Sequence, residues 1–175
     1  MRIVDALIGE LEQEAQATAR VLERVPEAHL NWKPHPKSYS LGQLALHIAT
    51  VPGNVAALAA RDVAHSPGFN QPAASSTSEL LPALHASIAK AREHLGGLDD
   101  AAMTATWRLM AGDQERLSMP RVAFVRAIML NHWYHHRGQL CVYLRQVGAL
   151  VPSVYGPSAD ENPFAVEQAS AAVPV

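Results

Sequence analysis

Apolar residues return at steps of three and four through four long stretches of the chain, with polar residues between them. Over residues 3–23, Val4, Leu7, Leu11, Ala15, Thr18 and Leu22 share one helical face, while Glu10, Glu12, Glu14, Arg20 and Glu23 lie mostly off it. Pro26 stops this helix, because the residue before a proline disfavours the α region. A second helix opens at Ser40, which stands at capping-box spacing from Gln43. Leu44, His47, Ile48 and Val51 form its inward face, Pro52-Gly53 reads as a kink or interruption, and helical character resumes from Asn54 to Ala64. A third begins at a second capping-box pair, Ser76 and Glu79, carries Leu81, Leu84, Ile88, Ala91 and Leu95 on its stripe, and stops at Gly96-Gly97. The fourth spans residues 120–147, with Ser118 as a hydroxyl cap and Pro120 in the first turn. Its face is Val125, Met129, His132, His136, Leu140, Tyr143 and Val147, and that face is expected to point into the protein.

The connections are uneven. Residues 27–39 hold Pro34, Pro36 and Trp32, and Trp32 either covers the end of the helices or lines a pocket. His35, between two prolines, is expected to be exposed. Residues 65–77 form a long loop rich in Ser, Pro, Gly and Ala, a length that goes with mobility or a place at a pocket mouth. Residues 105–117 alternate enough around Ala111-Gly112-Asp113 to predict a small hairpin across the end of the helices. Together these elements predict an all-α domain over residues 1–164, a four-helix bundle whose up-and-down order the long connections leave open. Part of the stretch after Gly148 is expected to fold back on the bundle, and residues 165–175 to form a loosely ordered tail.

Composition narrows the function classes. A chain of 175 residues, 49% of them hydrophobic, can bury one sizeable core. A net charge of −2 without a basic block speaks against a nucleic-acid partner. No signal peptide is read at Met1-Arg2, where Asp5 and Glu10 interrupt the apolar residues early, and no apolar run is read as reaching the ~18–20 residues of a membrane span. The single cysteine, Cys141, reads as small packing material and is compatible with a reducing cytoplasm.

The chemistry lies in the histidines. His132 and His136 are four residues apart on one helical face, which places their Cβ atoms roughly 5–6 Å from each other. A single histidine on an apolar stripe is ordinarily a hydrogen-bonded core residue. Two that face the same way can hold one metal ion between them. His47 is a third histidine on an inward stripe, and a bundle builds metal sites from side chains on facing helices. Three neutral imidazoles leave coordination positions for water or substrate, as in a catalytic rather than a closed structural site. His135 is the rival ligand, but it lies about 100° around the helix from His136. Arg137 and Gln139 are candidates to orient ligands or substrate, with an exposed or salt-bridged place the plainer role for Arg137. Tyr143, on the same face, either packs in the core or lines the site. No carboxylate stands out as a general base.

Ser40-Leu-Gly-Gln-Leu-Ala-Leu-His47, His132-Trp-Tyr-His-His136-Arg-Gly-Gln139 and the segment after the last helix, Val151-Pro-Ser-Val-Tyr-Gly-Pro-Ser-Ala-Asp-Glu161, together resemble the DinB/YfiT-like metalloenzymes. The resemblance runs from the first helix to about Glu161. It implies a four-helix bundle with long crossover connections, one divalent ion (zinc, nickel or iron) on His47, His132 and His136, and a homodimer. Characterised members of that family include thiol-cofactor-dependent S-transferases and a maleylpyruvate isomerase. The resemblance therefore implies an enzyme acting on a small-molecule substrate, by S-transfer or isomerisation with a low-molecular-weight thiol. Metal-dependent hydrolysis and a non-catalytic, stress-related metal-binding role stand beside it.

Overall fold

The computed structural model describes residues 1–65, 68 and 71–165. In chain order the elements are α1 (Ile3–Leu22), α2 (Leu41–Ala59), β1 (Val63–His65), α3 (Leu80–Gly96), α4 (Asp100–Thr104), β2 (Thr106–Ala111), β3 (Gln114–Pro120), α5 (Arg121–Phe124), a π-helical stretch Val125–Asn131, and α6 (His132–Gln146). Both predicted capping boxes are present. Ser40 Oγ accepts from Gln43 N at 3.1 Å and Gln43 Oε1 accepts from Ser40 N at 2.9 Å, while Ser76 and Glu79 close the same box on a short 3₁₀ turn, Thr77–Glu79. Gly148, at φ 76°, takes the left-handed conformation that ends α6, a position glycine adopts without a Cβ penalty. Of the tail expected over residues 165–175, all but Ala165 lies outside the described residues.

The helices form a bundle in which α3 packs on both α1 and α2, and α6 packs on the same two. Consecutive helices α1 and α2 thus sit on one diagonal, and their connection crosses the bundle end. The predicted hairpin is β2 paired antiparallel with β3, turning at Gly112 with φ 57°. The chain departs from an all-α reading by one further strand. Helix α2 stops at Ala59, not Ala64, and β1 pairs parallel with β2 to make a three-stranded sheet. Two side chains, Trp107 on β2 and Arg121 directly after β3, tie this end of the sheet to the end of α2. Trp107 Nε1 donates to Leu58 O at 3.0 Å, Trp107 stacks on Phe124 with centroids 3.6 Å apart, and the buried Arg121 donates from Nε to Ala59 O at 2.7 Å. These donors reach last-turn carbonyls, which a helix cannot satisfy itself.

Pro52 lies inside α2 without ending it. A proline has no N–H, so the carbonyl four residues earlier, Ile48 O, lacks its helical donor. The indole of Trp133, fully buried on α6, fills that place, with Nε1 donating to Ile48 O at 2.8 Å. One residue on, Gly53 N donates to Ser87 Oγ of α3 at 2.8 Å, and a Cβ at Gly53 would meet Ser87 O at 2.8 Å. Proline and glycine, which read as a kink or interruption, are instead the points where α2 locks to both neighbours. Trp133→Phe should lower stability by about 1–3 kcal/mol, since it keeps most of the packing and leaves a buried carbonyl unpaired. The expected reading is a lower urea midpoint at unchanged slope; an unchanged midpoint would refute this role.

Helix α2 also corrects one expectation. At 19 residues it is long and apolar enough, by length and composition, to cross a membrane. Here it is the core helix, and Leu41, Leu44, Ala45, Ile48, Ala49, Val55, Ala56 and Ala59 are buried.

Candidate metal centre

Helix α2 brings His47 to the seam with α6, and α6 brings His132 and His136 to meet it. Helical spacing places the latter two side by side, with ring centroids 4.4 Å apart. His47 completes a triangle, its ring centroid 5.3 Å from that of His132 and 4.8 Å from that of His136. One ring nitrogen from each lies within 4.8 Å of the other two, and all three residues are half-buried. His47 Nε2 and His132 Nε2 are 3.4 Å apart. Two nitrogens each about 2.0–2.1 Å from a tetrahedral zinc would stand roughly 3.3–3.4 Å from each other, so this pair already has the separation an ion requires. The three histidines fit a divalent metal by both donor type and geometry.

The face they occupy differs from the predicted one in a definite way. The buried stripe of α6 is Trp133, Arg137, Leu140 and Leu144, and His132, His136 and Tyr143 flank it on the α2 side. The fourth helix is also not one regular helix. Ser118 lies in β3 rather than capping it, and residues 125–131 adopt π geometry. There, His132 N donates back to Ala127 O, five residues away. The carbonyl it would ordinarily use, Ile128 O, meets the His132 ring at Nδ1, 3.3 Å away. A π stretch next to a functional site is a common association, and here its effect is specific. It turns a main-chain oxygen toward a histidine ring.

Burial is the leading cause of a lowered pKa at each of the three histidines. His47 is brought down to about 4, by burial first and then by its two neighbours, with the nearby Gln71 side chain opposing. His132 and His136 are lowered by burial and by neighbouring histidines, against hydrogen bonds to Ile128 and Gln139. Neutral rings, the form that binds metal, are therefore favoured. Among the described residues, no carboxylate is among the groups that shift the three rings.

The other candidates take these places. His135 is exposed and outside the cluster, its ring centroid 5.1 Å from that of His136. Gln139 Oε1 is 2.6 Å from His136 Nδ1. Tyr143 packs edge-on to Trp32, with centroids 5.5 Å apart, and Tyr39 lies 6.0 Å from the His47 ring. His35 is exposed and Cys141 half-buried. Arg137 is salt-bridged but not exposed: at 2% exposure it points away from the histidines into α1. Its partner is Glu14, placed off the inward stripe by periodicity yet only 8% exposed. Gln71, in the long loop, carries no mark in the sequence. Its Nε2 donates to Gln43 O at 3.3 Å while Gln43 Nε2 donates to Gln71 O at 3.1 Å, which pins the loop one turn before His47.

A sequence profile of the DinB family matches residues 3–167. The chain belongs to the DinB family. It is 26% identical over 164 residues to the uncharacterized protein YrdA of Bacillus subtilis (strain 168), covering 90% of this chain and 91% of that protein. Its fold is similar to a DinB-like protein from Bacillus cereus ATCC 10987, with a TM-score of 0.67 and 24% identity over 86% of this chain and 97% of that one. A DinB-like protein from Bacillus subtilis superposes with a TM-score of 0.61 at 19% identity, covering 82% of this DinB chain and 92% of that one. These similarities establish the DinB fold of helices with long crossovers.

Proposed function

We propose that this DinB-family protein is a divalent-metal-dependent enzyme of the cytoplasm, in which His47, His132 and His136 hold one ion. The observation that supports this reading most directly is the convergence of three half-buried ring nitrogens within 4.8 Å. When bound, the ion supplies a Lewis acid that favours the ionised form of a coordinated water or thiol. The chain's own residues provide neutral ligands, so the full charge of the ion is retained, and a half-buried setting that leaves a side open to a small molecule. The absence of a carboxylate among the groups acting on the rings, within the described residues, favours a nucleophile that arrives already acidic. A low-molecular-weight thiol, more acidic than water before it binds, meets that need, while a coordinated water ionised by the ion would serve hydrolysis instead. S-transfer or isomerisation of a small molecule with a thiol cofactor is accordingly the preferred reaction class. We extend the proposal to a homodimer, as the family resemblance implies, without nucleic acid or membrane as partner.

Untagged protein, titrated with zinc, nickel and iron, should take up about one ion per chain, read by elemental analysis after desalting. His47→Ala should abolish that uptake and leave the helical circular dichroism unchanged. Absence of uptake from all three metals would overturn the reading. Uptake without turnover of any thiol-dependent substrate would leave a metal-binding protein and refute the enzyme.

A further inference from the structure

We propose that Gln139 is a positioning residue that holds His136 with its proton on Nδ1, so that Nε2 is the nitrogen left bare for an ion. This deepens the metal-site reading above and rests on it for its purpose, though not for its geometry. A neutral imidazole carries one proton, and the hydrogen bond made by one nitrogen decides which nitrogen is left to bind. Gln139 stands one helical turn after His136, and its Oε1 lies 2.6 Å from His136 Nδ1. An amide oxygen only accepts, so the proton of that bond sits on Nδ1. His132 is held in the same sense by Ile128 O, 3.3 Å from its Nδ1. Near the third ring, Gln71 spends its Nε2 on Gln43 O and Pro72 O, both at 3.3 Å.

Both acceptors, one side-chain amide and one main-chain carbonyl, are thus uncharged. A carboxylate in such a place would add negative charge to the ligand and raise its basicity. The amide and the carbonyl fix orientation without that charge, which keeps an ion at the site electrophilic. Removal of such an outer partner typically costs ~10–100-fold in metal affinity. Gln139 is exposed and lies on the outer part of α6, so its replacement should not disturb folding.

The test compares wild type with Gln139→Leu and Gln139→Glu. Long-range nitrogen–proton NMR of the metal-free protein at about pH 8 should show His136 protonated at Nδ1 in wild type and Gln139→Glu, and shifted toward the Nε2-protonated form in Gln139→Leu. Zinc affinity, read by competition with a chromophoric chelator, should fall about tenfold in Gln139→Leu and be restored or increased in Gln139→Glu. An unchanged His136 tautomer in Gln139→Leu would overturn the inference. If wild-type protein bound no zinc while the tautomer still shifted in Gln139→Leu, the metal reading would fail and the positioning role would stand.

Discussion

Arg137→Met is expected to destabilise the protein by about 3–5 kcal/mol, the usual cost of leaving one member of a buried ion pair without its partner. Arg137 is 2% exposed and Glu14 8%. Arg137 Nη2 donates to Glu14 Oε2 at 2.6 Å, and Nη1 donates to Thr18 Oγ1 at 3.1 Å and Glu14 O at 3.2 Å. The guanidinium also lies over the rings of Tyr134 and Tyr155, at 5.3 and 5.0 Å. Without it, the Glu14 carboxylate keeps, among the described residues, the Tyr155 hydroxyl, which donates to Oε2 at 2.8 Å. Glu14→Leu with Arg137→Met should recover most of the loss, because an apolar pair of similar volume replaces a buried ion pair at little cost. Urea unfolding of the two single variants and the double variant measures this directly. Single variants with wild-type midpoints would show that the pair contributes nothing. The same arginine follows His136 in the chain, so loosening it should also weaken metal uptake.

The second large effect is linkage between metal, proton and fold. Zinc at about a hundred times its dissociation constant should stabilise the native state by ~2.7 kcal/mol, provided the unfolded chain does not bind it. The metal-free protein should have its own pH dependence. In the unfolded chain these imidazoles titrate near 6.5, whereas in the fold His47 is brought to about 4 and His132 and His136 are also lowered. Between those values the unfolded chain binds more protons. Stability is therefore full above about pH 6.5 and falls as the pH drops toward 4. Zinc competes with the same protons, so its stabilisation disappears in the same direction. Urea midpoints at about pH 7.5 and about pH 5, with and without zinc, give all four corners. A midpoint at the higher pH that ignores zinc would contradict the site, and His47→Ala should flatten both dependences.

The bundle was legible because periodicity reports on helices that bury a stripe, and the capping boxes at Ser40 and Ser76 are local devices that need no partner. The hairpin showed through alternation around Gly112. Strand β1 did not, since Val63–His65 is too short for a period and exists only because β2 lies beside it. Glu14 departs from its periodicity for the opposite reason. Periodicity sends a carboxylate outward, and the arginine that draws it inward comes from 123 residues further along. The convergence of His132 and His136 follows from helix pitch alone, whereas His47 joins them only once α2 and α6 are packed. Ile128 O could not be foreseen, because main-chain carbonyls carry no mark in a sequence. Gln71 stayed hidden in a loop whose composition reads as filler.

The π-helical stretch at Val125–Asn131 has a consequence for how this chain tolerates changes of length. A π turn is an α turn holding one residue too many. Loss of a residue there returns the helix to ordinary pitch, and the phase change is taken up on the sheet side while Trp133 and Arg137 keep α6 seated. Loss of a residue between His132 and His136 has no such outlet. It would turn one ring by about 100° relative to the other and separate the two nitrogens that now face His47. Within a single helix, then, one segment acts as a slack joint and the next as a gauge block.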